Sequence, residues 1–236
     1  MGRGEARWLL IGNSRWHWAE RCGERVAFHH GPPLEGPLPP LQAWAAVGAI
    51  PPAAELPNER RLRLDQVPLR ESPPWLGIDR ALVGWQAWQR WRAPVLVADA
   101  GTVLSLTWVD GEGRFRGGRL MAGAGLQWRA MAAGTNGLPP PGASAVVDPS
   151  GLALWPTTTA EAMEVGVLRG LAAALSAAAE ERRAHEPGCR LVLTGGDGEA
   201  LHPLLALPGD PLGSAWELCP GLGLEALMGL RPAPDP

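Results

Sequence analysis

Residues 95–102 read Val-Leu-Val-Ala-Asp-Ala-Gly-Thr, a run of four apolar residues that ends in Asp99 and a small glycine-containing turn. A β-rich run, an Asp-Gly turn signal at 110–111 and a third apolar run follow at once, so the segment predicts three consecutive strands. An aspartate beside Gly and Thr at a strand end offers a carboxylate, close backbone N–H groups and a hydroxyl to a phosphate or a cation. The same residue types also form ordinary hairpin turns.

The chain repeats this arrangement near its N-terminus. Residues 7–14 read Arg-Trp-Leu-Leu-Ile-Gly-Asn-Ser, and two further strand patterns, over 15–20 and 25–28, come after them. Duplicated units pack on each other. Two such turns facing one another would grip a polyphosphate from both sides.

An overlay of the two copies shows one difference that matters for chemistry. Gly12 aligns with Gly101 and Asn13 with Thr102, but Leu10 stands at the position of Asp99. The first copy therefore lacks the acidic side chain that the second copy offers to a cation.

Composition excludes several classes of chemistry. The chain has 236 residues and a net charge of −3, and all 21 basic residues are Arg. Without Lys there is no Walker-type lysine for phosphates and no Schiff base with pyridoxal phosphate. The charge provides no basic surface for nucleic acid or an anionic membrane. Three scattered cysteines and the lack of a secretion signal or an 18-residue apolar run predict a cytoplasmic protein with no membrane segment.

A short box precedes the second copy of the repeat. Residues 77–80 read Gly-Ile-Asp-Arg, and apolar residues at helical spacing follow until Trp91. Asp79 thus falls in the first turn of a helix, where the helix dipole favours a carboxylate regardless of function. Pro94 closes this helix, so we place the domain boundary there and predict domains over residues 1–93 and 94–236.

The remaining segments predict further elements. Residues 44–50 read as a buried strand and residues 60–64 as an exposed one. Thr158 and Glu161 are spaced as a capping box at the start of a long helix, in which Gly166 and Gly170 leave room for a close neighbour. A strand over 190–193 runs into the Gly-rich loop 194–198 and a helix, a pattern that sometimes holds a nucleotide and more often is only a turn.

With these motifs in order, the chain resembles type III pantothenate kinases over residues 8–228. The resemblance implies an α/β fold of two duplicated RNase H-like domains, as in actin-like ATPases, with mixed sheets around a central cleft. It also implies ATP-dependent phosphorylation of pantothenate to 4'-phosphopantothenate in coenzyme A biosynthesis, with Mg²⁺ and a monovalent cation (K⁺ or NH₄⁺), by a homodimer.

The resemblance also implies roles for individual residues. Asp79 is the expected proton acceptor, and Asp99 is a ligand of the monovalent cation. The ATP and phosphate contacts implied are Leu10, Ile11, Gly12, Asn13, Ser14, Arg15, Gly101, Thr102, Gly195 and Gly196. The pantothenate contacts implied are Gly77, Ile78, Asp79, Arg80 and Thr159, with Trp75 as a substitute for a tyrosine that this Tyr-free chain lacks.

Two alternatives stay open at this point. Leu10 replaces the first acidic residue of the family pattern, and Ala122 replaces a usual proline. A nucleotide-binding regulatory or scaffold protein of the same fold would tolerate the loss of that acid. Because fold alone does not set function, a related kinase with another small hydroxylated substrate is the second alternative.

Overall fold

Two mixed sheets with the same core order of strands make up the protein. The computed structural model describes residues 6–34, 38–51, 54–140, 153–205 and 216–232. The strands are β1 (Ala6–Ile11), β2 (Trp16–Cys22), β3 (Arg25–Gly31), β4 (Ala43–Ala46), β5 (Val95–Ala100), β6 (Val103–Val109), β7 (Phe115–Ala122), β8 (Arg190–Thr194) and β9 (Trp216–Leu218). The helices are α1 (Ile78–Trp91), α2 (Ala124–Gly134), α3 (Thr159–His185), α4 (Gly198–Leu205) and α5 (Leu222–Gly229).

The two sheets share one topology. The first has the order β3-β2-β1-β4 and the second has the order β7-β6-β5-β8-β9. In both, the first strand of the repeat pairs antiparallel with the next strand in sequence and parallel with a strand that arrives after a long crossover. The predicted duplication, and with it the α/β RNase H-like fold class, is confirmed.

The chain divides into two compact units that each hold one sheet. Unit 1 comprises Met1–Arg92, Gly113–Phe115 and Gly221–Pro236, and unit 2 comprises Ala93–Glu112 and Arg116–Pro220. The first change of unit falls next to the predicted boundary at Pro94. In addition, α5 and the segment Gly113–Phe115, which ends at the first residue of β7, belong to unit 1, so one boundary in the chain does not separate the two units.

The sheet of unit 1 buries both of its faces. Leu9 and Ile11 of β1 pack with Trp16, Trp18 and Trp44 on one face. The alternate residues of β1, Trp8 and Leu10, are also buried. Because successive side chains of a strand point to opposite faces, this nearly continuous apolar strand fits the centre of a covered sheet.

In unit 2, β5 is the central strand and α3 is the principal covering helix. Val95, Val97 and Ala98 of β5 are fully buried. By length and composition α3 is apolar enough to cross a membrane. Its apolar stripe instead packs in the core of unit 2, with Leu168, Leu175 and Ala179 among the buried residues, so α3 has the character of a core helix.

Several sequence predictions of helix ends hold at the residue level. The helix α1 begins at Ile78, so Asp79 lies in its first turn as predicted. Thr158 caps α3 and accepts a hydrogen bond from the backbone N–H of Glu161. The Thr158 hydroxyl donates to the Glu161 carboxylate, which confirms the predicted pairing of these two residues.

Other local predictions are wrong. Residues 60–64 do not form a strand: two 3-10 turns, Asn58–Arg60 and Leu64–Gln66, flank the single bridge between Arg61 and Trp44. The alternating pattern arises because Leu62 alone is buried, and its N–H donates to the Trp44 carbonyl. The strand predicted over 44–50 is shorter, Ala43–Ala46, and the sequence analysis assigned no elements to β9 and α5.

The two glycines predicted to admit a close neighbour on α3 have none among the described residues. A Cβ atom added to Gly166 or to Gly170 would meet nothing within 4 Å. Both positions are exposed. They cost helix stability without a packing reason within the described parts of the chain.

Candidate active site

The second phosphate turn lies at the end of β5 in unit 2. Asp99 is the penultimate residue of this strand, directly opposite Ser105 of β6 and Thr194 of β8. Residues paired across strands share a face of the sheet, so two buried hydroxyl-bearing residues flank the carboxylate. Asp99 therefore lies between two hydroxyl-bearing residues, directly before the turn that follows β5.

Two glycines, Gly123 and Gly195, pack closely against the backbone of the second turn; we call this pair the glycine clamp. A Cβ atom on Gly123 would lie 1.9 Å from the carbonyl oxygen of Gly101, and one on Gly195 would lie 2.5 Å from that of Ala100. Gly195 also has φ +92°, a conformation that favours glycine. The backbone N–H of Gly123 donates to the Thr102 carbonyl at 3.0 Å.

This clamp brings two helix starts to the turn. Gly123 is the N-cap of α2, and the N–H of Asp197, just before α4, donates to the Ala100 carbonyl at 2.9 Å. The N–H groups at the start of a helix are suited to an anion. Within unit 2 the structure thus brings together the predicted residues Asp99, Gly101, Thr102, Gly195 and Gly196.

Gly123→Ala is expected to displace the second turn. The new methyl group would lie 1.9 Å from the Gly101 carbonyl oxygen and 2.9 Å from that of Thr102. Because these are backbone atoms that cannot rotate away, the variant should lose about 1–3 kcal/mol of stability. Chemical denaturation and ATP titration of the variant measure the two effects.

Gly166→Ala is the matched control, because its methyl group meets nothing within 4 Å. It should raise stability by up to about 1 kcal/mol through helix propensity. Equal stability of the two variants would contradict the clamp.

The first turn, in unit 1, is a tight hairpin. The N–H of Gly12 donates to the Arg15 carbonyl at 3.0 Å, which leaves Asn13 and Ser14 at the tip. Asn13, Ser14 and Arg15 are exposed. Their polar groups are therefore accessible to a ligand.

Gly48, which the sequence analysis missed, closes this first turn. A Cβ atom on Gly48 would lie 2.1 Å from the Gly12 carbonyl oxygen, and the N–H groups of Val47 and Gly48 point at the Ile11 carbonyl. Gly48 lies two residues after the end of β4, whereas Gly195 directly follows β8, so the repeat by itself does not single out Gly48.

Leu10 and Ile11 place no side chain in the first turn. Leu10 is buried, and a Cβ atom on Gly223 of α5 would meet its Cδ2 at 3.3 Å and Cγ1 of Val83 at 3.5 Å. The position equivalent to Asp99 is thus part of the packing between β1, α1 and α5. Because both side chains are buried, Leu10 and Ile11 can contact a phosphate only through their backbone atoms.

The Gly-Ile-Asp-Arg box shapes the start of α1. The Asp79 carboxylate accepts the N–H of Arg80 at 2.8 Å and folds back over Gly77, where a Cβ atom would lie 2.5 Å from Oδ1. Glycine two residues ahead therefore makes the space that the carboxylate occupies. Burial raises the pKa of Asp79, opposed by the Arg80 N–H bond and the Arg80 charge, a combination suited to a proton acceptor.

Arg80 adjoins this carboxylate and in turn contacts an aromatic pair, Phe115 and Trp75. Arg80 is buried, with its Cζ 5.6 Å from the centroid of the Phe115 ring. Trp75 packs edge-on against Phe115, with centroids 6.4 Å apart, and is 72% exposed. Phe115 thus contacts both the Arg80 guanidinium and the exposed Trp75 indole, and it is a residue that sequence reasoning missed.

The predicted residues fall into separate sets. Unit 1 holds the first turn (10–15) and the box with Trp75, and unit 2 holds the second turn and the Gly195–Gly196 loop. Thr159 is the first residue of α3 in unit 2 and is exposed. Thr159 directly follows the cap residue Thr158, so the start of the helix is by itself a sufficient reason for a threonine at this position.

The described residues offer a divalent cation few protein ligands. Within the described ranges, no group of three or more His, Cys, Asp or Glu side chains could hold a metal. Mg²⁺ is usually held by one or two carboxylates together with phosphates and water. Asp99 and its neighbouring hydroxyls fit that mode, as they fit a monovalent cation.

Two sheets of one topology, each with a turn packed against a glycine at the end of its central strand, define an RNase H-like α/β fold. The fold is shared by a solved Campylobacter jejuni protein described as a Baf family transcriptional activator, with a TM-score of 0.57 and 15% identity over 94% of this chain and 96% of that one.

Sequence comparison identifies the family. The model of the type III pantothenate kinase family matches residues 58–181. Type III pantothenate kinase of Synechococcus sp. (strain JA-3-3Ab) is 38% identical over 95% of this chain and 92% of its own length. That of Synechococcus elongatus is 37% identical over 84% and 86%. The chain belongs to the type III pantothenate kinase family.

Proposed function

We propose that this protein transfers the γ-phosphoryl group of ATP to the primary hydroxyl of pantothenate, which forms 4'-phosphopantothenate and ADP in the first step of coenzyme A biosynthesis. Family membership supports the substrate and the use of ATP. The observation that carries the proposal is Asp79, a carboxylate with raised pKa that is held over Gly77 beside Arg80.

In this reaction the pantothenate hydroxyl oxygen forms a bond to the γ-phosphorus while the bond from that phosphorus to the bridging oxygen of ADP breaks. Asp79 takes the hydroxyl proton. Such chemistry depends chiefly on positioning and charge stabilisation. Arg80 has the charge to orient the substrate carboxylate, and Trp75 with Phe115 has the apolar surface to contact its methyl groups.

Each unit, taken by itself, offers groups suited to a phosphate. In unit 2 these are the N–H groups around Gly101, the Thr102 hydroxyl and the loop at Gly195 and Gly196. In unit 1 they are the exposed groups of Asn13, Ser14 and Arg15. Mg²⁺ on the phosphates would neutralise charge that develops during transfer, and Asp99 would hold the monovalent cation.

Four further expectations belong to this proposal. The protein is a homodimer, works in the cytoplasm and binds neither nucleic acid nor membrane. Thr159 contacts pantothenate. Sedimentation and a Thr159→Val variant, with its KM for pantothenate as the readout, test the first and last of these.

The reaction itself is tested with purified protein, ATP, Mg²⁺, K⁺ and pantothenate. We expect stoichiometric ADP and phosphopantothenate by mass spectrometry, with less product when K⁺ is replaced by Na⁺. No product with pantothenate, together with retained ATP binding, would overturn the proposal and favour the scaffold alternative that Leu10 raises. Turnover with a different small alcohol would favour the related kinase.

A further inference from the structure

The first turn lacks a carboxylate, and a histidine lies directly across the sheet from the position where one would be. Leu10 pairs with His17 of β2 in the same register in which Asp99 pairs with Ser105 in unit 2. His17 and Leu10 therefore share a face of the sheet. Where unit 2 has a carboxylate and a hydroxyl, unit 1 has an apolar side chain and an imidazole.

The imidazole of His17 reaches the turn itself. A Cβ atom on Gly12 would lie 3.1 Å from Nε2 of His17. Among the residues that the structure describes, this Nε2 atom has no hydrogen-bond partner. It also retains solvent access, because no buried side-chain nitrogen or oxygen in the same set of residues lacks a partner. A small anion at the turn can therefore contact it.

His30 determines which proton His17 can offer. The Nδ1 atoms of the two rings are 2.8 Å apart, and one of them must donate to the other. When His30 donates, His17 carries its own proton on Nε2, toward the turn. An anion bound there selects this arrangement because the opposite one would place a lone pair against negative charge.

His17 acts as a neutral donor. Burial, followed by the nearby His30 and Arg15, lowers the pKa of His17 to about 4, and burial is also the main cause that lowers the pKa of His30. At neutral pH the pair is uncharged. It adds a directed N–H group beside the cationic Arg15 without adding repulsion between two cations.

We propose that His17, oriented by His30, is a phosphate-binding residue of the first turn and donates from Nε2 to a phosphoryl oxygen of the nucleotide. This inference rests on the proposed function only for the identity of the nucleotide. It gives the first turn a direct side-chain contact to phosphate at a place where no carboxylate is available to hold a cation.

Three variants test the inference by calorimetric titration with MgATP. His17→Leu should weaken ATP binding about tenfold, the effect of losing one hydrogen bond to a charged group. His17→Gln places an amide nitrogen near the Nε2 position and should restore most of the affinity. His29→Gln is the matched control, because His29 stacks on Trp18 on the opposite face, and it should bind ATP as the parent does.

Thermal unfolding of the same variants separates binding from folding. We expect the Leu and Gln variants of His17 to unfold within a few degrees of each other while their ATP affinities differ. ATP affinity of His17→Leu within twofold of the parent, or no recovery in His17→Gln, would overturn the inference. Because binding is measured directly, a parent that binds ATP but does not phosphorylate pantothenate would refute the proposed function and leave this inference standing.

Discussion

Asp79→Asn is expected to lower kcat by about 10²–10⁴-fold, the usual contribution of a positioned general base. The asparagine keeps the oxygen that accepts the Arg80 N–H but cannot take a proton from the substrate. Steady-state kinetics with pantothenate measures the loss. ATP binding by titration should stay within about twofold of the parent.

Stability gives this prediction a second readout. Burial raises the pKa of Asp79, so the folded state binds its proton more tightly than the unfolded state does. At neutral pH the ionised group therefore opposes folding, and this penalty fades as the pH falls toward the raised pKa. Asp79→Asn should be at least as stable as the parent at pH 7. Unchanged kcat would remove Asp79 from the proposed role.

The pH profile of the parent follows from the same shift. The rate should fall on the acidic side at a pH above the ordinary pKa of an aspartate, 3.8, because a protonated Asp79 cannot accept a proton. Gly77→Ala is a companion variant: its Cβ would lie 2.5 Å from Oδ1 of Asp79 and push the carboxylate away. We expect it to lower kcat as well, without removing the acid.

Leu10→Asp is expected to destabilise the protein by about 4 kcal/mol or more rather than to restore a catalytic acid. The change removes a buried apolar side chain that lies over Gly223 of α5 and puts a charge in its place. Guanidinium denaturation gives the free energy of unfolding. Leu10→Met is the control, and it should cost less than about 1.5 kcal/mol.

The activity of Leu10→Asp distinguishes two views of the first turn. If Leu10 merely marks a lost catalytic group, the aspartate should raise turnover or bind an added cation. If Leu10 belongs to the core of unit 1, as its packing indicates, turnover should fall with the folded fraction. A stable variant with increased kcat would contradict the packing interpretation.

The repeated strand patterns predicted the duplicated units, and the resemblance to the family added the RNase H-like fold class. Alternating and continuous apolar runs report burial directly, and the turns after Ile11 and Ala100 carry their own glycine signal. The start of α1 was also predictable, because the residue types next to a helix end indicate where the helix begins and stops. The strand predicted over 60–64 is absent because only Leu62 is buried there. A single buried residue between charged ones gives the same alternating pattern as a short strand.

Phe115, Gly48 and His17 show what local patterns cannot supply. Phe115 joins Arg80 through a contact between residues 35 positions apart, and nothing in its own neighbourhood indicates this. Gly48 is required only because the Gly12 carbonyl lies against it. His17 gains its orientation from His30 on the next strand.

The sequence by itself determined the duplication, the two turns and the Gly-Ile-Asp-Arg box, because strands, turns and helix starts depend on residues a few positions apart. Only the tertiary structure decided that Leu10 is a core residue and that His17 has an accessible Nε2 beside the first turn. Burial and hydrogen-bond partners depend on which strands and helices meet, and that is a property of the packed chain.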